Sequence, residues 1–419
     1  MSELSVQIEE LCRKAKKASR QLAIATTERK NELLGNIAEA LDEGRARIAE
    51  ANEKDVKKGR EDGLTSAMLD RLELNAKRID GMIQAVHEVI ALNDPVKEVI
   101  KRWTLPNGLE MEKIRVPIGL IGIIFESRPN VTVDASVLCL KTGNGTILRG
   151  GKEAIESNRV LAELMQEASE KTGFLRETIV LIPTTDREAI PLLCGMDKYI
   201  DLMIPRGGHG LIETVVKNAR MPVIKHYHGV CHLYVHEAGD FDMAESILIN
   251  AKCQRPGVCN AVETLLVDES IAGRFLPRVA RALRDEHKVL LLGDAATSLA
   301  LGETLKEPEN WSTEYLDLIL AVRVVKGLDE AIRHLEDFGS HHSDTIVTAD
   351  KEAGERFLNE VDSATVYWNA STRFTDGNQF GFGAEIGIST DKIHARGPMA
   401  LEELTSYKYI ARGSGQIRQ

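Results

Sequence analysis

The chain has 419 residues, of which 43% are hydrophobic and 28% are charged. At roughly 100–200 residues per domain this length predicts two or three globular domains, and the composition excludes long disorder, collagen-like repeats and a bundle of membrane helices. The 53 basic and 64 acidic side chains give a net charge of −11, so nucleic acid is not expected as a partner and an anionic substrate would need cations placed locally.

Cysteine usage and the first residues indicate the compartment. The six cysteines are few and irregularly spaced, unlike the disulfide framework of a small secreted protein, and this favours a reducing interior. Residues 1–10 show neither a basic region nor an apolar region, and the apolar run Val116–Phe125 is too short to cross a bilayer. We therefore expect a cytoplasmic location, no signal peptide and no membrane-spanning segment.

Helical periodicity dominates residues 1–100, in which the first proline is Pro95. The apolar positions that recur every three or four residues include Leu33, Leu34, Ile37, Leu41 and Ile48. This pattern predicts mostly helix. In residues 101–115 two short extended runs flank Asn107-Gly108, which is the strongest short signal for a β-hairpin.

Short β-branched runs alternate with amphipathic stretches from Gly119 onward. The first series of predicted strands is Ile121–Phe125, Thr146–Leu148, Ile179–Ile182 and Tyr199–Ile204. The second series is Val262–Val267, Val289–Leu292, Leu318–Val325, Thr345–Thr348 and Thr365–Trp368. Such alternation predicts right-handed βαβ units with parallel sheets, so the expected fold class is α/β with two doubly wound domains.

The C-terminal run Leu404–Ile410 is strand-like but has no helix after it. We expect it to pair with the hairpin of a neighbouring subunit, which would form a small β oligomerisation element and make the protein a dimer or a dimer of dimers. The first domain is predicted to contain residues 1–100 and 116–252, with a return of the chain to it at 379–398. The second domain is predicted to contain residues 253–378. The small β element is predicted to contain residues 101–115 and 399–419.

Glycine-rich segments mark where backbone could approach a phosphate. Gly145–Lys152 resembles a Walker A loop but places its lysine one residue late, and no predicted strand is followed by an intact Gly-x-Gly-x-x-Gly. The segment Pro205-Arg206-Gly207-Gly208 follows a predicted strand and precedes a predicted helix. It could present backbone N–H groups to a pyrophosphate, or it could be an ordinary turn.

Cys259 has the surroundings that best suit a nucleophile. Four other cysteines lie among apolar residues and are interpreted as core: Cys12, Cys139, Cys194 and Cys231. Cys253 and Cys259 bracket a loop that contains Arg255, whose guanidinium could stabilise a thiolate. Cys253 ends a predicted helix, whereas Cys259 precedes the strand Val262–Val267. The residues alone leave open whether Cys259 is catalytic or a buried structural cysteine.

Histidines cluster at His226, His228, His232 and His236. A metal site is one interpretation, but no cysteine or carboxylate stands at a recognised ligand spacing nearby, so no metal is expected. We interpret one or two of these histidines as lining an anion site and the others as packed.

Three strings carry a family resemblance: Phe125–Thr132 (FESRPNVT), Lys252–Glu263 (KCQRPGVCNAVE) and Gly339–Asp344 (GSHHSD). Together they closely resemble the gamma-glutamyl phosphate reductases of the aldehyde dehydrogenase superfamily, over essentially the whole chain. The resemblance implies an aldehyde dehydrogenase-like fold and the NADPH-dependent reduction of L-glutamyl 5-phosphate to L-glutamate 5-semialdehyde and phosphate, the second step of proline synthesis. A CoA-acylating aldehyde dehydrogenase is the alternative. An inactive binding protein is disfavoured because the string Lys252–Glu263, which we call the nucleophile loop, is intact.

The resemblance also implies roles for individual residues. Cys259 becomes the nucleophile, which forms a thioester with the substrate. Asn130 is the candidate for the side-chain amide that holds the oxyanion. Arg128 and Arg255 are candidates for binding the substrate's carboxylate and phosphate, and the alternative for each arginine is a structural ion pair.

Lys225 and His228 stand where hydrolytic aldehyde dehydrogenases carry a glutamate that activates water. A lysine and a partly protonated histidine would attract phosphate, whereas a carboxylate would repel it. We therefore expect phosphate, not water, to be the acyl acceptor when the semialdehyde is oxidised.

The first domain is expected to bind NADPH and residues 253–378 to carry the nucleophile. The predicted strand Thr146–Leu148 runs into Arg149, Gly150 and Lys152, and two cations suit a 2′-phosphate, unless Arg149 simply faces water. Pro205, Arg206, Gly207 and Gly208 are the expected pyrophosphate contacts. The upstream glutamate 5-kinase is a candidate partner.

Overall fold

A computed structural model describes residues 2–225 and 227–418. The chain forms two compact units: unit 1 contains residues 1–225, 381–387 and 399–419, and unit 2 contains residues 226–380 and 388–398. Parallel sheets with intervening helices confirm the expected α/β fold class. The limit between the units follows residue 225, and not residue 252 as expected, because the segment before Cys253 supplies a strand and a helix to unit 2.

The described residues before Pro95 are mostly helical, as their periodicity predicts. The helices of unit 1 are α1 (Glu3–Ala23), α2 (Thr27–Glu43), α3 (Arg45–Glu61), α4 (Ser66–Leu72), α5 (Ala76–Ala91), α6 (Val131–Lys141), α7 (Ile155–Lys171), α8 (Ala189–Cys194) and α9 (His209–Asn218). Ser2, Thr26, Thr65 and Asn75 each cap a helix, because the side chain accepts a hydrogen bond from the backbone N–H three residues later. The five apolar residues named for their periodicity are all buried.

The predicted hairpin consists of β1 (Val99–Thr104) and β2 (Glu110–Pro117), which are antiparallel. Gly108 in its turn has a φ of +82°, which glycine adopts without a steric penalty. The C-terminal strand β15 (Thr405–Arg412) pairs with the other edge of β2. This pairing lies within one chain, and not between two subunits as expected, because residues 405–412 reach the edge of β2 that β1 leaves open.

Unit 1 also contains a parallel sheet with the order β5-β4-β3-β6. Its strands are β3 (Leu120–Phe125), β4 (Gly145–Arg149), β5 (Ile179–Leu181) and β6 (Leu202–Arg206). Every residue of β3 is buried, as expected for a central strand covered on both faces. The strand order reverses at β3, and the crevice outside the carboxyl ends of strands at such a reversal is where α/β sheets bind ligands.

Unit 2 contains a six-stranded parallel sheet with the order β12-β11-β7-β8-β10-β9. Its strands are β7 (Cys231–Val235), β8 (Val262–Asp268), β9 (Leu290–Gly293), β10 (Ile319–Val325), β11 (Ser343–Val347) and β12 (Thr365–Trp368). Its helices are α10 (Phe241–Cys253), α11 (Glu269–Arg281), α12 (Ala295–Leu301), α13 (Gly327–Phe338) and α14 (Lys351–Glu360). Two short strands, β13 (Gly387–Ser389) and β14 (Gly397–Met399), pair with each other where the chain passes between the units.

Within residues 2–225 and 227–418, no helix combines the length and the apolar character needed to cross a membrane.

Candidate active site

Cys259 lies in the loop between α10 and β8, and its side chain is partly exposed. Because the strands of unit 2 are parallel, the segments that precede β7, β8 and β11 meet at the same edge of the sheet. That edge is the amino-terminal one, opposite to the carboxyl edge at which α/β sheets usually bind ligands. The loop was located in the sequence by its residues, but its position at this edge follows only from the structure.

Gly229, in the segment that leads into β7, and Cys231, the first residue of β7, hold the Cys259 backbone. Gly229 approaches so closely that an ideal β-carbon would overlap the Cys259 carbonyl oxygen and lie 2.5 Å from the Cys259 α-carbon. Cys231 Sγ donates a hydrogen bond to the same oxygen at 3.2 Å. The backbone that carries the Cys259 thiol is therefore fixed from one side by a glycine and by the buried thiol of Cys231.

Arg373 holds the nucleophile loop from a distant part of the chain. Its Nε donates to Gln254 Oε1 at 3.1 Å, and its Nη1 donates to Asn260 Oδ1. Asn260 Nδ2 in turn donates to the carbonyl oxygen of Thr375 at 2.9 Å, and Thr372 Oγ1 donates to the Asn260 carbonyl oxygen at 2.7 Å. The turn that contains Arg373 is thus joined to residues on both sides of Cys259, and no pattern in the sequence pointed to these contacts.

A buried ion pair lies at the two ends of the nucleophile loop. Lys252 Nζ is 2.6 Å from Glu263 Oε2, and both side chains have no exposed surface. The other oxygen of Glu263 accepts a hydrogen bond from the backbone N–H of Leu316. Burial raises the pKa of Glu263 to about 7, although Lys252 acts in the opposite direction. Breaking a buried pair leaves an uncompensated charge, so this pair fixes both ends of the loop.

His228 faces the carboxylate of Glu314, to which no motif in the sequence pointed. His228 Nδ1 lies 3.4 Å from Glu314 Oε2, and Glu314 Oε1 accepts the backbone N–H of Gly229 at 2.8 Å. A positive charge on His228 would therefore be balanced in part by Glu314. Lys225 belongs to unit 1, and His226 lies outside the described residues.

The other histidines of the predicted cluster have structural partners. His232 is fully buried and its Nδ1 lies 2.9 Å from Asp344 Oδ1, while His236 Nδ1 lies 2.9 Å from Thr348 Oγ1. These contacts agree with the interpretation that some of the cluster is packed. In the part of the chain that the structure describes, no group of three or more His, Cys, Asp or Glu side chains could hold a metal ion.

The remaining thiols are poor nucleophiles because burial disfavours their charged form. Burial raises the pKa of Cys12 to about 12 and that of Cys194 to about 11. It also raises the pKa values of Cys139 and Cys231, and that of the half-buried Cys253. The raised pKa values agree with the interpretation of Cys12, Cys139, Cys194 and Cys231 as core residues.

In unit 1 the expected cofactor residues after β4 differ in exposure. Arg149 is buried, and its Nη2 donates to the carbonyl oxygens of Thr185 at 3.2 Å and Asp186 at 3.4 Å. Its buried Nε has no hydrogen-bond partner among the described residues. Burial lowers the pKa of Arg149. Lys152 is exposed, and an ideal β-carbon on Gly150 would lie 3.1 Å from Asn158 Cγ. Arg149 therefore does not face water.

The segment after β6 is close to a second unassigned carboxylate, that of Glu126. Pro205 and Arg206 end β6, and the Gly208 N–H at the start of α9 donates to Glu126 Oε2 at 3.0 Å. A β-carbon on Gly207 would lie 2.5 Å from the same oxygen. The amide that was expected to face a pyrophosphate is thus bonded to a carboxylate, and glycine at 207 permits this close approach.

Asn130 and Arg128 also belong to unit 1, in the segment between β3 and α6. Asn130 Nδ2 donates to Asp134 Oδ2 at 2.7 Å. Burial raises the pKa of Asp134 to about 6, although the hydrogen bond from Asn130 acts in the opposite direction. One N–H of the Asn130 amide is therefore engaged by its own helix.

Comparisons with known proteins show the family to which the chain belongs. Residues 3–298 match the aldehyde dehydrogenase family. The chain is 50% identical to gamma-glutamyl phosphate reductase from Halothermothrix orenii over 417 residues, which is 100% of both chains. A crystal structure of gamma-glutamyl phosphate reductase from Thermotoga maritima superposes with a TM-score of 0.97 at 48% identity, covering 98% of this chain and 100% of that chain.

A more distant structure shares the fold alone. The acetylating aldehyde dehydrogenase from Geobacillus thermoglucosidasius gives a TM-score of 0.67 at 18% identity, covering 100% of both chains. The full-length similarity to the reductases, together with the intact nucleophile loop, confirms the resemblance found in the sequence. The chain belongs to the gamma-glutamyl phosphate reductase family, within the aldehyde dehydrogenase family.

Proposed function

We propose that the chain catalyses the NADPH-dependent reduction of L-glutamyl 5-phosphate to L-glutamate 5-semialdehyde and phosphate, the second step of proline synthesis from glutamate. The observation that carries this proposal is the 50% identity, over the whole length of both chains, to a protein named gamma-glutamyl phosphate reductase. The local arrangement at Cys259 supports it, because a partly exposed thiol stands in a loop that is fixed on both sides.

The chemical step assigned to Cys259 is an acyl transfer. The Cys259 thiolate bonds to the acyl carbon of the substrate, the bond from that carbon to the phosphate oxygen breaks, and phosphate leaves with the electron pair. The resulting thioester keeps the acyl group attached to the protein. Departure of the Cys259 thiolate in the last step releases the aldehyde.

Each step places negative charge on the former carbonyl oxygen. The backbone N–H of Cys259 is our proposed first donor to this oxyanion, and its position is held by the contacts of Gly229 and Cys231 with the Cys259 carbonyl group. Asn130 stays the proposed second donor, through the amide N–H that Asp134 does not take. Arg128 and Arg255 stay the proposed contacts for the substrate's anionic groups, with Lys225 and His228 as further attractors of phosphate.

The carboxyl edge of the unit 1 sheet fits a phosphorylated dinucleotide. The buried Arg149 Nε lacks a partner among the described residues, and the exposed Lys152 follows three residues later. Both would hold the 2′-phosphate of NADPH, with Gly150 between them. The segment Pro205–Gly208 would take the pyrophosphate once Glu126 releases the Gly208 N–H. The chemistry that bound NADPH supplies is hydride donation to the thioester carbon.

The CoA-acylating alternative is not favoured, because relatives that are 50% and 52% identical to this chain over almost all of its length are named gamma-glutamyl phosphate reductase. The decisive experiment gives the purified protein glutamate 5-semialdehyde and NADP⁺ with phosphate, arsenate, CoA or no acceptor. We expect NADPH to form with phosphate or arsenate, and Cys259→Ser to give none. NADPH formation that requires CoA would favour the alternative, and stoichiometric glutamate in phosphate-free, arsenate-free buffer would refute the proposed acceptor.

We also propose that the chain assembles into a homo-oligomer through the three-stranded sheet of unit 1. A second proposal is that the upstream glutamate 5-kinase docks to it. The sheet supports the first of them, because the outer edges of β1 and β15 carry backbone groups that a further strand could pair with. Light scattering of the purified chain, alone and mixed with the kinase, tests both.

A further inference from the structure

Two arginines of unit 2, Arg255 and Arg373, lie close to Cys259. Arg255 is exposed in the nucleophile loop, and Arg373 is partly buried against that loop. Among residues 2–225 and 227–418, neither guanidinium forms an ion pair, although ion pairs are frequent elsewhere on the chain. Asp376, whose charge acts on Arg373, accepts hydrogen bonds from the backbone N–H groups of Asn378 and Gln379.

The orientation of Arg373 is fixed by neutral partners. Gln254 accepts from Nε and Asn260 accepts from Nη1, so two of the five N–H groups are used and the three others have no partner among the described residues. Neutral acceptors hold the guanidinium in place without cancelling its charge. A planar guanidinium held in this way can present two parallel N–H groups to one anion.

The charge on Arg373 is unfavourable in the protein as it stands. Burial and the neighbouring Arg255 both lower the pKa of Arg373, while Asp376, Cys259 and Cys231 act in the opposite direction. Two like charges placed together at the nucleophile loop, one of them partly desolvated, are stabilised when an anion binds between them. The pair therefore has the character of an anion site that is complete only with a ligand.

We propose that Arg373, acting with Arg255, binds the phosphate group of the acyl phosphate at the moment when Cys259 attacks, and so makes phosphate the preferred acyl acceptor. This inference rests on the proposed function and adds Arg373 to it as a residue that determines specificity. Gln254 and Asn260 are positioning residues, because they act through the Arg373 guanidinium.

The phosphate group, and not the α-carboxylate of the substrate, is the anion assigned to Arg373. The phosphate oxygen is bonded to the carbon that Cys259 attacks, whereas the α-carboxylate is at the far end of the glutamyl chain. Arg373 is joined to Asn260, the residue directly after Cys259. A guanidinium tied to the residue next to the nucleophile is therefore suited to the leaving group, whose negative charge increases as the carbon–oxygen bond breaks.

Steady-state kinetics in the oxidative direction give the first test, with inorganic phosphate as the probe. Arg373→Gln should raise the KM for phosphate by about tenfold to hundredfold, the effect of losing a hydrogen bond between charged groups, and should change the KM values for semialdehyde and NADP⁺ by less than about twofold. Arg373→Lys keeps the charge without the planar fork and should give an intermediate KM. Arg333→Gln, on the exposed face of α13 in the same unit, is the matched control.

Alkylation of Cys259 gives a second test that needs no turnover. Iodoacetate and iodoacetamide both transfer their carbon to the thiolate with loss of iodide, but only iodoacetate carries a negative charge. A change in the thiol's pKa alters both rates together, so their ratio reports the local anion site. The ratio should fall about tenfold in Arg373→Gln and stay unchanged in Arg333→Gln, and phosphate should protect the wild-type Cys259 from iodoacetate.

The outcomes separate this inference from the proposed function. An unchanged KM for phosphate together with an unchanged alkylation ratio would overturn the role of Arg373, and a raised KM for semialdehyde alone would overturn it by assigning Arg373 to the α-carboxylate. If the wild-type protein forms no NADPH with phosphate, the proposed function fails, while the alkylation ratio still decides whether Arg373 forms an anion site beside Cys259.

Discussion

Gly229 and Cys259 are packed so closely that a β-carbon on Gly229 would lie 2.5 Å from the Cys259 α-carbon. The φ of Gly229 is not in the left-handed region, so the need for glycine here is one of space and not of backbone conformation. The atoms in the way belong to the backbone of the nucleophile loop, which cannot move without moving the thiol. This contact connects the segment before β7 directly to the position of the Cys259 sulfur.

Gly229→Ala should therefore reduce activity strongly. Overpacking costs about 1–3 kcal/mol of stability, and a displacement of the nucleophile by about 1 Å lowers the rate by about a hundredfold. We expect a large loss of kcat/KM with a modest fall in Tm. Gly273→Ala is the matched control, since Gly273 is exposed within α11 with nothing within 4 Å of its added β-carbon, and it should raise stability by up to about 1 kcal/mol. Equal activity in both variants would show that the loop tolerates displacement.

Replacement of individual cysteines separates Cys259 from its neighbour. Cys259→Ser should abolish turnover, because a serine hydroxyl is not ionised at neutral pH without a dedicated base. Cys253→Ser should keep most of the activity, since Cys253 ends α10 and burial raises the pKa of its thiol. Rates of NADPH formation from semialdehyde and phosphate measure both variants. The reverse order of activities would assign the nucleophile to Cys253.

Local patterns in the sequence located most elements of the fold. The Asn107-Gly108 turn predicted the hairpin, and the alternation after Gly119 predicted both parallel sheets, because β-branched runs and helical periodicity depend on neighbouring residues. The intrachain pairing of β15 with β2 and the unit limit after residue 225 were not predicted. Both depend on which distant segments meet, and no local pattern contains that information.

The residues of the candidate site also fall into two groups: those that a local string reveals and those that only the fold brings together. Cys259 and Arg255 could be found because both lie within one recognisable string. Arg373 could not be found, because it is 113 residues from Asn260 in the chain and meets it only through the fold. Glu314 was missed for the same reason, since its contact with Gly229 spans 85 residues. Residues that support a nucleophile from distant segments leave no spacing pattern that a single sequence can reveal.

Lys152→Glu should shift the cofactor preference away from NADPH. Lys152 is exposed and lies three residues after Arg149, so its charge can be reversed without disturbing the bonds that bury Arg149. The KM for NADPH should rise by about tenfold or more, the effect of losing one charged contact with the 2′-phosphate, while that for NADH stays nearly constant. Lys57→Glu, at an exposed position of α3, controls for the change in net charge. A constant ratio of the two KM values would remove Lys152 from the cofactor site.

His334→Asn should make the free energy of unfolding decrease less as the pH is lowered. Burial, together with the neighbouring His232 and Arg323, lowers the pKa of His334 to about 2. The pKa of this histidine in the unfolded chain is about 6.5. Below that pH the unfolded chain therefore binds a proton that the folded chain does not, so the free energy of unfolding falls as the pH decreases. Asparagine can still accept the hydrogen bond that His334 Nδ1 accepts from Arg323.

The free energy of unfolding of the wild type minus that of His334→Asn should therefore decrease by about 2 kcal/mol from pH 7 to pH 5, because only the wild type loses this stability in acid. Asp134 and Glu263, whose pKa values are raised by burial, act in the opposite direction but are present in both proteins, so they cancel in the comparison. Urea unfolding at several pH values measures the effect. His87→Asn, at an exposed position of α5, is the control and should leave the pH dependence unchanged. If the free energies of unfolding of wild type and His334→Asn ran parallel with pH, His334 would be protonated in the folded protein.

Removal of residues 405–419 should destabilise unit 1 itself. The strand β15 pairs with β2 from Thr405 opposite Pro117 to Arg412 opposite Glu110, and Arg412 Nη1 donates to Glu112 Oε2 at 2.6 Å. Without β15 one edge of β2 is open, and Glu112, which is 7% exposed, keeps only its bonds to Arg102. We expect a lower Tm and aggregation, measured by thermal unfolding and light scattering. Removal of residues 413–419 keeps β15 and should behave as wild type. A truncated chain with unchanged Tm that forms smaller particles would instead show that β15 contributes only to contacts between subunits.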